Sequence, residues 1–265
     1  MGTSTHLANI FTGPAYSGSV KYITRTGWYS LQQDYPEFEN NISSITTSIL
    51  NTIRVILFSD PFFTGKEMVV ENDWPSLPVM MENKCSSLLV ELKTEQHVEI
   101  FQNNNYSGLA TSLFGMSYRH LSDFFPNDAL SSIRIPYGKK VYLYEHEDYR
   151  GRKIILDKDT PFIGEDFNNR VTSMQILNYP IAFSDPNFQG RSQMLELDSY
   201  DSAPERGSRW LEIGDNAIRS LKISYPFLVK AFPEKHFGGE RTIYKHDIEN
   251  IPGTISSLAI EPSFR

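Results

Sequence analysis

The sequence predicts an all-β protein built from tandem β-sandwich domains. Two observations carry this: a hairpin-forming phrase recurs six times, and no stretch longer than a turn or two shows helical periodicity. The phrase is an aromatic, four residues, a second aromatic, one residue and a glycine. It reads Phe11-Tyr16-Gly18, Phe58-Phe63-Gly65, Phe101-Tyr106-Gly108, Tyr144-Tyr149-Gly151, Phe183-Phe188-Gly190 and Phe232-Phe237-Gly239. The glycines lie 47, 43, 43, 39 and 49 residues apart, and such a period marks one supersecondary unit copied along a chain. A second phrase closes each unit: Ser43-Ser44-Ile45, Ser86-Ser87-Leu88, Ser131-Ser132-Ile133, Thr172-Ser173-Met174, Arg219-Ser220-Leu221 and Ser256-Ser257-Leu258. The fifth unit breaks it, with arginine where the others carry a hydroxyl.

Within each unit the elements follow in a fixed order. A strand-like run comes first, over residues 7–11, 53–58, 98–101, 141–144, 181–183 and 228–232. In the fourth, Val141 and Leu143 alternate with Tyr142 and Tyr144, the period of two that a half-buried strand requires. A turn follows, as in Ser59-Asp60-Pro61 or Gln102-Asn103-Asn104, made of residues that bond their own backbone or fix φ. The second aromatic and the glycine then open the next strand. A folded-over hairpin lays the first ring on the second, and the glycine supplies a positive φ or room for a ring. Six copies read as architecture rather than as ligand-stacking platforms. Short strands at even spacing argue for sandwiches.

At 265 residues, length alone predicts about two domains. Six units of about 40 residues pair more naturally into three. The chain is 40% hydrophobic and 13% aromatic, enough for packed cores. A net charge of -7 and a pI near 5.4, with no long basic run, exclude nucleic-acid binding by phosphate neutralisation. Cys85 is the single cysteine, so no intrachain disulfide forms. The N-terminus lacks the basic-then-apolar pattern of a secretory signal, and His6 stands where a myristoylation site has Ser or Thr. No apolar run approaches bilayer-spanning length, so no transmembrane segment is expected. The sequons at Asn41 and Asn105 read as chance, and the chain reads as soluble and cytoplasmic.

The aromatic-glycine hairpin, closed by Asn/Asp-Asn/Asp-x-x-Ser/Thr-Ser, resembles the βγ-crystallin Greek-key motif over nearly the whole chain. The resemblance implies three tandem βγ-crystallin-like Greek-key β-sandwich domains, at 1–94, 95–178 and 179–265, each of two intercalated motifs. Residues 93–96 and 177–179 would be the linkers. Lens members of the family typically carry four motifs, so six point away from an ordinary lens protein.

The resemblance also implies calcium binding. Family members that bind Ca²⁺ use the Asn/Asp and Ser/Thr positions of the closing motif. The arrangement is crosswise: the Asn/Asp side comes from one motif and the hydroxyl from the other, with a hairpin-turn carbonyl completing the set. Such all-oxygen sets suit a hard cation. The middle domain matches at every position, which implies one site from Asn127 and Asp128 with Thr172, and another from Asn168 and Asn169 with Ser131. Gln102 and Glu145 would supply the carbonyls. In the first domain Glu39 and Glu82 replace Asn/Asp at the first position, leaving sites from Glu39, Asn40 and Ser86 and from Glu82, Asn83 and Ser43. In the third domain Arg219 has no acceptor oxygen, and Pro252 and Gly253 supply no side-chain oxygen. At most one weak site would survive there, from Asp215 and Asn216 with Ser256. Few carboxylates imply micromolar rather than nanomolar affinity and poor Mg²⁺ binding.

No nucleophile elbow, phosphate loop or dinucleotide fingerprint is present, so no enzyme activity is expected. The six histidines are scattered and read as solvent-exposed. Asp157 and Asp159 open like an EF-hand loop, but Pro161 and Phe162 break it. Two non-enzymatic alternatives to calcium binding stay open. One is a purely structural or stress-related protein. The other is a recognition module for a glycan, a membrane or a protein partner, self-association included.

Overall fold

The computed structural model describes residues 6–47, 52–204 and 207–263. The chain divides into two compact units, Met1–Leu177 and Asn178–Arg265. The protein is all-β: among the described residues, antiparallel strands and one short parallel pair at Tyr200↔Arg209 are joined by tight turns, short 3₁₀ segments and a helical turn at Leu31–Asp34. Among the described residues no helix is long and apolar enough to cross a membrane.

The opening strands of the six units are Ala8–Gly13, Ile53–Asp60, Val98–Asn103, Lys139–His146, Ile181–Asp185 and Phe227–Phe232. In five units the strand runs past the first aromatic into residues that the sequence assigns to the turn. The hairpin folds back and pairs again after a bulge, as in Asp60↔Thr64 and Asn103↔Ser107. The ring pairs form as expected, with centroids 5.6 to 5.9 Å apart in all six.

The backbone of the fold-over is stranger than the glycine alone announces. Gly65 has φ +79°, but Phe62 and Phe63 before it also lie at +62° and +59°. Every unit repeats the pattern with its second aromatic at a positive φ, a strained place for a bulky side chain. The second hydroxyl of the closing phrase holds it there. Ser44, Ser87, Ser132, Ser173, Ser220 and Ser257 are fully buried. Each accepts a hydrogen bond from the second aromatic's N–H at 3.0 to 3.1 Å. Each donates its proton to a turn carbonyl of the same unit, as Ser87 does to Asp60 at 2.8 Å.

Units pair by exchanging strands, which makes the topology a Greek key. In the first pair, Gly27–Ser30 leaves the first unit and joins the second unit's sheet, with Tyr29 opposite Leu88. Trp74 of the second unit returns the exchange by bridging Ile45. The third and fourth units repeat this through Tyr118↔Met174 and Ile133↔Thr160. The fifth and sixth do so through Tyr200↔Leu258 and Leu221↔Ile248. Inward-facing residues of both sheets make each core: Ile10, Ile45, Leu57 and Leu88 in the first, and Ile100, Ile133, Leu143 and Met174 in the second. Cys85 is fully buried, with its thiol pushed up to about 12 by desolvation. It takes the place that Ile42, Leu130, Val171, Ile218 and Ile255 take in the other units, the buried residue two before the second closing serine.

Within the first unit of the chain, residues 114–118 of the third repeat dock on the second hairpin, where the Met116 N–H donates to the Phe63 carbonyl at 3.1 Å. The Phe114 ring touches both the Arg54 guanidinium and the His97 ring. Glu91 Oε1 binds Arg54 Nε at 2.6 Å and His97 Nε2 at 2.7 Å. The His97 side chain is only 7% exposed, which corrects the expectation that every histidine faces solvent. Its pKa is lowered by desolvation, against the upward pull of Glu91.

Candidate functional site

The closing loops of paired units arch over one another, and backbone hydrogen bonds set the crossing. The N–H of the second Asn/Asp position donates to the carbonyl just before the partner's closing hydroxyl: Asn40 to Cys85, Asn83 to Ile42, Asn169 to Leu130 and Asn216 to Ile255. That position sits near φ +50° in Asn40, Asn83, Asp128, Asn169 and Asn216, a conformation Asn and Asp adopt at low cost. Short polar residues stand there because the arch needs a left-handed residue as well as an oxygen.

Side chains cross in the same way. Ser43 Oγ lies 3.1 Å from Asn83 Oδ1, Ser86 Oγ 3.0 Å from Asn40 Oδ1, and Ser131 Oγ 3.3 Å from Asn169 Oδ1. In the last pair Ser256 Oγ lies 2.9 Å from both Asn216 Oδ1 and the Pro233 carbonyl. Thr172 gives its proton to the Glu145 carbonyl at 2.8 Å. The Glu145 side chain is committed elsewhere: Arg152 binds it through side chain and backbone and holds the carboxyl below its ordinary range. What Glu145 offers the arch is therefore its backbone oxygen. Asn127 Nδ2 donates to Asp128 Oδ2 at 2.9 Å, and both residues are exposed. Gln102 ends beside the bulge of its own strand, one residue after Phe101, whose carbonyl accepts the Ser131 N–H. Glu82 is half-buried at the head of its loop.

Two first-position oxygens, Asn168 Oδ1 and Glu39 Oε2, are buried without a hydrogen-bond partner. Such an acceptor costs about 1–3 kcal/mol unless something satisfies it. Among the described residues no group of three His, Cys, Asp or Glu side chains converges as a metal site. The donors in the arches are amide, hydroxyl and backbone oxygens with single carboxylates. That chemistry fits a hard cation and excludes a thiolate or imidazole site.

The third pair differs. The Arg219 guanidinium donates to the Asn216 and Ile218 carbonyls at 2.7 and 3.0 Å. Asp215 Oδ2 lies 3.1 Å from Lys235 Nζ. Asp215 is held below the ordinary carboxylate range, by the Ser256 hydroxyl first and Lys235 next.

The Beta/Gamma crystallin family model matches residues 54–135 and 140–223, well over half the chain. This chain belongs to the βγ-crystallin family. Gamma-crystallin D of Macropus fuliginosus is 28% identical over 167 residues, covering 61% of this chain and 94% of its own. The Development-specific protein S homolog of Myxococcus xanthus is 26% identical over 176 residues, covering 63% and 90%. The solved βγ-crystallin domain from Clostridium beijerinckii is 34% identical over 31% of this chain and 97% of its own, with a TM-score of 0.30. The first match covers the second and third units and the other the fourth and fifth, so each joins units from two different strand-exchanging pairs.

Sequence reasoning missed two features of this crystallin fold. Tyr29, Tyr118 and Tyr200 recur on the exchanged strands of the odd units, and each bonds a backbone group three or four residues upstream. A tyrosine ten or eleven residues after the glycine of alternate units was the available signal. The other is Lys235, one of the four variable residues between the two aromatics of the sixth phrase.

Proposed function

We propose that this chain is a non-enzymatic calcium-binding βγ-crystallin in which Ca²⁺, held across the arches, stabilises the fold. Asn168 Oδ1 carries the reading: a buried acceptor without a donor, in an otherwise all-oxygen set. The middle pair supplies two sites. Asn127 and Asp128 act with the Thr172 hydroxyl and the Glu145 carbonyl. Asn168 and Asn169 act with the Ser131 hydroxyl and the Gln102 carbonyl. Glu39, Asn40 and Ser86, and Glu82, Asn83 and Ser43, give weaker sites in the first pair. The reading takes the chain as three domains, 1–94, 95–178 and 179–265, supported by strand exchange within each pair of units. It places the protein in the cytoplasm.

An ion that binds the folded arches and not the unfolded chain stabilises by mass action, about 1.4 kcal/mol per site at a tenfold excess over its dissociation constant. Calorimetric calcium titration of the metal-stripped whole protein tests this, alongside Thr172→Arg. Two or more sites are expected in the parent, with one lost in the variant. No heat and no melting shift up to millimolar calcium overturns the proposal and leaves the arches as architecture. The purely structural alternative draws on the six buried serines, which close every hairpin without an ion.

A further inference from the structure

We infer that Lys235 is a tethered cation whose ammonium takes the place of a metal ion at the Asp215–Asn216–Ser256 arch, so that this arch holds itself closed without calcium. The inference rests on the calcium reading of the arches. Lys235 Nζ lies 3.1 Å from Asp215 Oδ2, while the other carboxylate oxygen accepts the Ser202 hydroxyl at 3.0 Å. Ser256 Oγ sits between Asn216 Oδ1 and the Pro233 carbonyl, 2.9 Å from each. Lys235 follows Pro233 by two residues on the same hairpin. The element that offers its carbonyl to the arch therefore also delivers a positive charge to the carboxylate.

The chain contains its own control. Pro14, Pro61, Asn104, Glu147 and Pro186 occupy the corresponding hairpin position in the other five units. The equivalent arch of the middle pair, with Asn127, Asp128, Thr172 and the Glu145 carbonyl, has Glu147 at that hairpin position, its carboxylate 3.4 Å from His120 Nδ1, where the third pair has lysine. A divalent cation approaching Asp215 meets a like charge that arrives with no loss of translational freedom. Both side chains are partly exposed, 46% and 40%, so the pair itself adds little stability. Its effect falls on which cation Asp215 accepts. Arg219, at the hydroxyl position of the other arch of this pair, turns its guanidinium to the Asn216 and Ile218 carbonyls of its own loop.

The test counts calcium sites on the full-length, metal-stripped protein by calorimetry. Lys235→Gln is expected to show one site more than the parent, and Lys235→Arg the parent's number. Adding Asp215→Asn to Lys235→Gln should remove the gained site. Circular dichroism in metal-free buffer checks that each variant folds. An unchanged count in folded Lys235→Gln, beside normal middle-pair sites, overturns this inference alone. A parent that binds no calcium at all overturns the calcium reading and this inference with it.

Discussion

Ser132→Ala should lower metal-free stability by about 2–4 kcal/mol, while Ser131→Ala, one residue away, costs under about 1 kcal/mol and instead abolishes part of the calcium response. Ser132 is fully buried, accepting from the Tyr106 N–H at 3.0 Å and donating to the Asn103 carbonyl at 2.6 Å. Without it both backbone groups lose their partner where water replaces it poorly, and each such loss costs roughly 1–3 kcal/mol. The damage adds to a position already strained, since Tyr106 lies at φ +57°. Ser131 makes a long 3.3 Å contact with Asn169 Oδ1, and Asn169 is exposed, so water takes over when the hydroxyl goes. Denaturant unfolding with and without calcium, combined with hydrogen exchange at the Tyr106 amide, separates the two. Ser132→Ala should lose the same stability in both conditions and expose that amide; Ser131→Ala should leave the amide protected and shrink the calcium-induced shift. Equal metal-free losses would mean that the two hydroxyls do not divide the work in this way.

The hairpin was the most legible feature because its causes are local. Ring, ring and glycine sit within eight residues, and each ring pair forms where the spacing places it. The doublet of hydroxyls was legible as a repeat but not as two roles, because serine at both positions hides that one faces the hairpin and the other the partner's loop. Arg219 gave away the outward position, since a guanidinium there can still reach the Asn216 and Ile218 carbonyls. Strand exchange was less legible. Two-residue partners such as Ser117–Tyr118 carry almost no periodic signal, and tertiary pairing decides where they go. His97 and Lys235 were invisible for a related reason. Their partners Glu91 and Asp215 lie in other elements, and nothing at either position announces a contact across the fold.

The stability of the compact unit Met1–Leu177 should carry a Glu67 contribution that weakens as pH rises from about 5 to about 7, and Glu67→Gln should remove it. The Glu67 carboxyl accepts from the backbone of Gly115 and Phe114 and from the Tyr118 hydroxyl. Desolvation outweighs those bonds and pushes its pKa up to about 7 from an ordinary 4.5. The folded state therefore prefers protonated Glu67. That preference contributes fully below the unfolded pKa and is lost as pH climbs through the folded one. Above it the fold holds a buried carboxylate at a cost of about 3 kcal/mol, because each tenfold change in proton affinity between the two states is worth about 1.4 kcal/mol. His97 contributes with the opposite sign: burial lowers its pKa, so its part of the stability grows as pH rises toward the ordinary 6.5 of an unfolded histidine. The two overlap in a single melting curve, but the difference between parent and Glu67→Gln cancels the histidine. The amide costs about 1 kcal/mol, because its NH₂ end cannot accept one of the three donors. Set against the carboxylate penalty, this makes the variant about 2 kcal/mol more stable than the parent at pH 8 and slightly less stable at pH 5. Denaturant melts of both proteins across that range read the crossing. A difference that stays flat with pH would mean that Glu67 is hydrated where residues 114–118 dock, and that its ionisation leaves the contact undisturbed.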